Sequence, residues 1–160
     1  MDAAIFQAQV KQIEKLLFRI AWSYLGNNQD VEDAVQDTLI KAWEKQKTLR
    51  NPLHFNAWIA RILVNQCKNT LRKRAKWSLF PLDEKTPLSA FSPEEAPVLE
   101  AVHRLKPEQR IVITLFYLDG YSQQDIAETL QCPLSTIKAR LYSARKQLKK
   151  ILLVEWEEQI

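Results

Sequence analysis

Glycine occurs only twice in the 160 residues, and four of the seven prolines (Pro81, Pro87, Pro93, Pro97) fall inside one stretch, SLFPLDEKTPLSAFSPEEAP (78–97). A chain so poor in backbone breakers has few places to turn, and its many Leu, Ala, Lys, Gln and Glu residues favour helix almost everywhere else. Both glycines, Gly26 and Gly120, follow long apolar-periodic runs, where a left-handed residue commonly ends a helix. The expectation is an all-α protein: two small helical domains, 1–77 and 98–160, joined by a flexible linker over 78–97. Charge divides the same way. Residues 1–76 carry 13 basic and 7 acidic side chains, residues 77–97 carry 1 and 4, and residues 98–160 carry 9 and 8. Fully extended, such a linker reaches at most ~70 Å, about two turns of duplex DNA.

A net charge of +4 and a pI near 9.1 suit a polyanionic partner without requiring one. Lys11, Glu14, Lys15 and Arg19 interrupt every apolar run near the N-terminus, so no signal peptide is expected. The longest apolar stretch, 111–118, is too short to cross a bilayer, which makes the expected location cytoplasmic. Cys67 and Cys132 have no Cys or His partner at metal-ligand spacing and read as ordinary thiols. No cofactor is expected.

Three helices are predicted in the N-terminal part. The first, 4–25, keeps Phe6, Val10, Ile13, Leu17, Ile20 and Tyr24 near one face. A second begins with Asp30 as N-cap and Asp33 in an acidic first turn, and runs to about Gln46. It buries Val31, Val35, Thr38 and Ala42. Asp33, Asp37, Ile40 and Glu44 fall together on the opposite side, an acidic row with an apolar centre. Such a row suits a basic protein surface. The alternatives are an ordinary solvated face or a metal site built from Asp30, Glu32, Asp33 and Asp37.

The third helix runs from about Phe55, after the Asn51-Pro52 break, to about Lys76. Phe55, Ile59 and Ile62 pack inward, while Trp58, Arg61, Asn65, Asn69, Arg72 and Lys76 line another side. A π-face, amides and cations together are what unpaired DNA requires, and KNTLRKRAK (68–76) extends the cationic rail. The loop KTLRNPLH (47–54) is placed to receive an extruded base. The alternative is a core Trp beside a solvated basic helix end.

In the C-terminal part Pro107 opens a helix that Gly120 closes. Ser122 and Asp125 give a capping-box-like start to a short helix that turns Ile126, Ala127 and Leu130 inward. The turn Gln131-Cys132-Pro133 leads into a helix with Ile137, Leu141, Ala144 and Leu148 on its buried stripe. Within 131–150 there are six basic side chains and no acidic one. Short helix, tight turn and basic helix describe a helix-turn-helix, whose second helix lies in the DNA major groove. Ser135, Thr136, Lys138, Ala139, Tyr142 and Ser143 point outward at base-edge positions; Arg140, Arg145, Lys146 and Lys149 suit phosphates. The alternative is a solvated basic face on a bundle helix.

At this point the sequence resembles a family. YSQQDIAETLQCPLSTIKARLYSARKQLKK (121–150) and the preceding LKPEQRIVITLFYLDG are similar to the promoter −35-binding domain of bacterial sigma factors of the extracytoplasmic-function (ECF) group. DVEDAVQDTLIKAWEK resembles the sigma segment that grips the clamp of the largest RNA polymerase subunit. By residue match this implies polymerase contacts at Asp33, Gln36, Asp37, Ile40 and Glu44. FNAWIARILVNQCKNTLRKR resembles the region that opens the −10 element, which implies that Arg61, Asn65 and Lys68 face the non-template strand. The resemblance covers about 5–76 and 98–152. Gln131 and Ser135 stand where many members have glycine. Trp58 stands alone where housekeeping members have adjacent tryptophans, which implies weaker melting and stricter promoters.

The resemblance implies an alternative sigma factor without catalytic chemistry or a small-molecule substrate. Its partners would be core RNA polymerase, promoter DNA and an anti-sigma factor, often membrane-bound. The acidic linker (Asp83, Glu84, Glu94, Glu95) would thread the RNA-exit path. Two rival classes are a helix-turn-helix regulator binding DNA as a dimer, and a metal-dependent nuclease using the acidic second helix.

Overall fold

The computed structural model describes the backbone of residues 1–77, 94 and 96–159, and the side chains within those spans except at 75–77, 96, 97 and 154–159. Among the described residues every regular element is a helix, and the chain divides into two compact units, Met1–Ala90 and Phe91–Ile160. The expected linker, with its four prolines and four carboxylates, lies outside the described residues apart from Glu94 and the start of the next helix.

In the first unit, α1 (Ala3–Leu25), α2 (Asn28–Glu44) and α3 (Phe55–Trp77) pack against one another, with two single 3₁₀ turns between α2 and α3. Leu17, Ile20, Val31, Ile59 and Leu63 are wholly buried at the centre. The α1 stripe is as expected except that Val10 is only half-buried, and the last turn of α1 is buried on every side. On α3 the inward residues are Phe55, Ile59, Ala60, Leu63, Val64 and Cys67, with Ile62 half-buried. Burial pushes the Cys67 thiol up to about 12, against the weaker opposing pull of Arg74, so it is a protonated core residue.

The corner between α1 and α2 differs from expectation. Gly26 takes the left-handed conformation (φ 73°) and its N–H bonds to the Trp22 carbonyl. Asn27 therefore becomes extended at once, and its side chain, not that of Asp30, caps α2 by accepting from the Asp30 N–H at 2.9 Å. Asp30 is left one turn inside the helix. Its carboxylate accepts from the Asn27 amide at 3.0 Å and from the Arg74 guanidinium. Arg74 also donates to the Leu25 carbonyl at 3.0 Å, which ties the far end of α3 to the α1–α2 corner. Arg74 thus leaves the cationic rail expected over 68–76. α2 ends at Glu44, two residues short of Gln46.

The second unit contains α4 (Ala96–His103), α5 (Pro107–Ile113), α6 (Gln123–Leu130) and α7 (Leu134–Gln159). α4 was not anticipated. Eight residues hold little more than two turns, and burying Leu99, Ala101 and Val102 is a pattern too short to separate from a loop. The helix opened by Pro107 does not run straight to Gly120. Residues Thr114–Leu118 form a π turn, in which Asp119 N–H bonds to the Thr114 carbonyl at 3.2 Å, and Gly120 follows at φ 70°. The capping box at α6 is complete: the Ser122 side chain accepts from Asp125 N–H at 3.0 Å, and the Asp125 carboxylate accepts from Ser122 N–H. Ile111, Leu115, Ile126, Ile137, Leu141 and Ala144 are fully buried between these helices.

Gln131 closes α6 in the left-handed region (φ 55°) and is exposed. A side chain there costs ~1–2 kcal/mol, part of which glycine returns through its larger unfolded-state entropy. Gln131→Gly is therefore expected to stabilise the second unit by ~0.5–1 kcal/mol. In urea unfolding of the full chain, the second unit's transition moves to higher urea while the first unit's stays in place.

For Asp30, burial raises the pKa, but the Asn27 amide and the Arg74 guanidinium outweigh it and hold the carboxyl below its ordinary 3.8. A depressed carboxylate contributes stability above its unfolded pKa and loses it as pH falls through the folded value. Asp30→Asn should therefore destabilise the first unit at neutral pH. The gap to the unsubstituted chain should close as pH falls below about 4, as read by urea unfolding across that range.

Candidate functional site

The outer face of α2 is open. Asp33, Gln36, Asp37, Ile40 and Glu44 are all exposed, Ile40 to 58%, while Val31, Val35, Thr38 and Ala42 are buried beneath them. Two of the carboxylates are braced. Asp33 accepts from the Gln29 amide at 3.3 Å. Asp37 accepts from the Gln66 amide of α3 at 3.4 Å, and the Gln66 carbonyl accepts from the Lys41 ammonium. Asp30 is turned away into its pairing with Arg74, and no three His, Cys, Asp or Glu groups converge on a metal position among the described residues. Trp43, 41% exposed and edge-on to Phe6 at 5.3 Å, enlarges the apolar centre around Ile40. The sequence reading omitted Trp43, although its place three residues after Ile40 puts both on neighbouring parts of one face.

On α3, Arg61, Asn65, Asn69 and Arg72 are exposed along one side, and Lys68 is half-buried. Arg72 donates to the Asn69 side chain at 2.8 Å, so cation and amide form one polar unit. Trp58 is half-buried, its ring 5.9 Å from that of Phe55, so it serves the core as well as the surface. Lys76 lies on the last turn of α3, but its side chain is outside the described residues. The preceding loop is ordered by Thr48, whose hydroxyl donates to the Lys45 carbonyl, and by Asn51, which accepts from Leu53 N–H at 3.0 Å. That turn presents Leu53 at 89% exposure, an apolar tip the sequence reading did not single out.

On α7, Ser135, Lys138, Ala139, Tyr142, Ser143 and Lys146 are exposed, Tyr142 to 68%, and Thr136 and Arg140 are half-buried. Arg140 donates to Cys132 Sγ at 3.6 Å and so braces the turn of the helix-turn-helix. Arg145 is engaged within its own unit. Its Nε donates to the Tyr117 hydroxyl at 2.6 Å, and its guanidinium lies 5.3 Å from the Phe116 ring and 5.5 Å from the Tyr117 ring. The expected phosphate contact by Arg145 would compete with these bonds, whereas Lys146 and Lys149 are exposed.

Beside Arg145 lies an apolar groove of about 600 Å³, walled by Val98, Val102, Ile113, Tyr117, Leu152 and Leu153. Val98, Tyr117, Leu152 and Leu153 are each at least two-fifths exposed. For Leu152 and Leu153 the signal in the sequence was the run ILLV (151–154), more apolar residues than one helical stripe needs.

Two family models match the chain: Sigma-70 region 2 over residues 9–77 and Sigma-70, region 4 over residues 96–148. The chain is 27% identical over 166 residues to the ECF RNA polymerase sigma-E factor of Haemophilus influenzae, covering 92% of this chain and 87% of that protein. It is 30% identical over 136 residues to the RNA polymerase sigma factor SigV of Bacillus subtilis, covering 82% and 81%. Among solved structures it is similar to the sigma factor RpoE of Bartonella quintana, found in complex with the anti-sigma factor NepR. That match has a TM-score of 0.78 and 30% identity over 93% of this chain and 97% of the other. CnrH, in complex with the cytosolic domain of CnrY, matches with a TM-score of 0.69 and 26% identity over 96% and 90%. Two sigma regions in order, each carried by its own compact helical unit, place this chain in the sigma-70 family as an extracytoplasmic-function sigma factor.

Proposed function

We propose that this sigma factor divides transcription initiation among three surfaces of its two units. Docking on the clamp of core RNA polymerase falls to the α2 ridge of Asp33, Gln36, Asp37, Ile40 and Glu44, with Trp43 beside it. Capture of the melted −10 strand falls to Arg61, Asn65, Lys68, Asn69 and Arg72 on α3, with Trp58 at its start and Lys76 at its end. Recognition of the −35 duplex falls to Ser135, Thr136, Lys138, Ala139, Tyr142 and Ser143 on α7. Lys146 makes sequence-independent phosphate contact, and Arg140 and Arg145 support the helix. The observation that carries this reading is segregation: the carboxylates and exposed apolar residues of α2 share one face, while the exposed cations of α3 and α7 lie on others. An acid ridge with an apolar centre repels nucleic acid and attracts a basic protein surface.

The division requires no reaction on this chain, which acts as a specificity subunit without catalysis of its own and works in the cytoplasm. An anti-sigma factor, membrane-bound where it links the chain to an outside signal, would occupy the α2 ridge and the apolar groove of the second unit. That groove is walled by aliphatic side chains and Tyr117 and flanked by Arg145 and Lys149, which fits an amphipathic helix with acidic edges. No helix among the described residues is long and apolar enough to cross a membrane.

Run-off transcription from a genomic promoter library, with purified core polymerase plus this chain, tests the reading as a whole. A defined subset of promoters with related −35 and −10 elements is expected. Tight binding to a palindrome without polymerase would instead indicate a dimeric regulator. Asp37→Lys is expected to abolish association with core polymerase while leaving affinity for −35 duplex unchanged; normal holoenzyme formation by this variant would overturn the docking assignment. Gln66→Leu, which removes the brace on Asp37, is expected to weaken core association about three-fold, the effect of one exposed charge-assisted hydrogen bond. Lys138→Ala should change base preference at one or two −35 positions, read by duplex selection.

A further inference from the structure

The sequence of α7 changes sign along its length. Residues 145–150 carry Arg145, Lys146, Lys149 and Lys150 and no acid, residues 151–154 are ILLV, and residues 155–158 carry Glu155, Glu157 and Glu158 and no cation. The helix continues through this change, from Leu134 to Gln159. At helical spacing, positions 149, 153 and 157 fall in one row along it, with Leu153 midway and ~6 Å from each. Lys149 and Leu153 both line the apolar groove of about 600 Å³. Val98, Tyr117, Leu152 and Leu153 stand open on that groove, Leu153 to 50%. A contiguous apolar surface of this kind is the mark of an interaction site.

Arg145 and Lys149 flank the groove, so it calls for an apolar occupant with acidic edges. The segment VEWEEQI (154–160) has that chemistry, three glutamates among Val, Trp and Ile. It cannot fill the groove of its own chain, because it continues the same helix that forms one wall. A second copy can supply it. We propose that two copies of this chain pair through antiparallel α7 helices with the two-fold axis at Leu153, each laying its acidic end over the groove of the other. An axis there sets Lys149 of each copy level with Glu157 of the other, twice by symmetry. Leu152 and Leu153 of both copies meet at the centre and leave water. A parallel pair would set cation against cation and glutamate against glutamate, so charge selects the antiparallel arrangement. The pairing requires none of the contacts with promoter DNA or core polymerase. Any other helix that fits the groove must displace the second copy.

Sedimentation equilibrium of the full chain alone, at rising concentration, is expected to show reversible association of monomers into dimers. Lys149→Glu makes both ends of the row acidic, and Glu157→Lys makes both basic. Each should weaken the dimer about ten-fold, because two like-charge pairs replace two attractive ones. Mixing the two variants should restore dimers at the affinity of the unsubstituted chain, and so should one chain carrying both substitutions. Raising the salt should narrow the gap between each variant and the unsubstituted chain. Leu153→Asp, at the axis, should leave monomers only, with the helical circular dichroism unchanged. A chain that is monomeric throughout the concentration range leaves the groove to a different partner and overturns the proposal. Dimers that neither charge variant weakens overturn it too, as does a mixture that associates no better than its components, since the second copy would then sit elsewhere.

Discussion

The geometry of the first unit depends on one ionic stitch. Arg74, near the far end of a 23-residue helix, reaches the Leu25 carbonyl and the Asp30 carboxylate at the corner where α1 gives way to α2. A helix that long is held along its middle by apolar contacts with Leu17, Ile20, Val31 and their neighbours, which resist separation but tolerate sliding. A directional bond between guanidinium, carbonyl and carboxylate fixes the remaining freedom. Because α2 presents the acidic ridge and α3 the row of cations and amides, the angle between those surfaces is set by this contact. The pairing is only partly buried, with 21% and 29% of the two side chains exposed, so its value lies in orientation more than in net stability.

The second unit solves a different problem: holding a 26-residue basic helix in one attitude with little mass behind it. It does so at three points. The capping box starts α6 at a defined residue, the left-handed Gln131 and the Arg140–Cys132 contact shape the turn, and the π turn swings Phe116 and Tyr117 outward to receive Arg145. The π turn disrupts regular helix geometry, and what it supplies is an aromatic rest for a cation on the neighbouring helix.

Much of this could be read before any coordinates, because the strongest sequence signals are periodic. The buried stripes of α2, α3 and α7, the outward row from Asp33 to Glu44, and the cap at Ser122 all follow from side chains repeating at helical spacing. What was missed depends on choices between neighbours. Asn27 and Asp30 are both good caps, and only the left-handed Gly26 decides for the first. Arg74 sits among five cations that look alike in sequence, yet one of them faces a carboxylate 44 positions earlier. α4 is too short for its period to show, and the exposure of Val98 becomes visible only when helices distant in sequence leave a gap between them.

The placement of the two thiols has a practical consequence. Cys67 is sealed in the core with its proton firmly held, whereas Cys132 is partly exposed at the bend between α6 and α7. Thiol-directed dyes and spin labels attack thiolates that solvent can reach, so they will discriminate between the two without either being replaced. The unaltered polypeptide thus carries its own attachment point for a spectroscopic reporter, two residues before α7 begins.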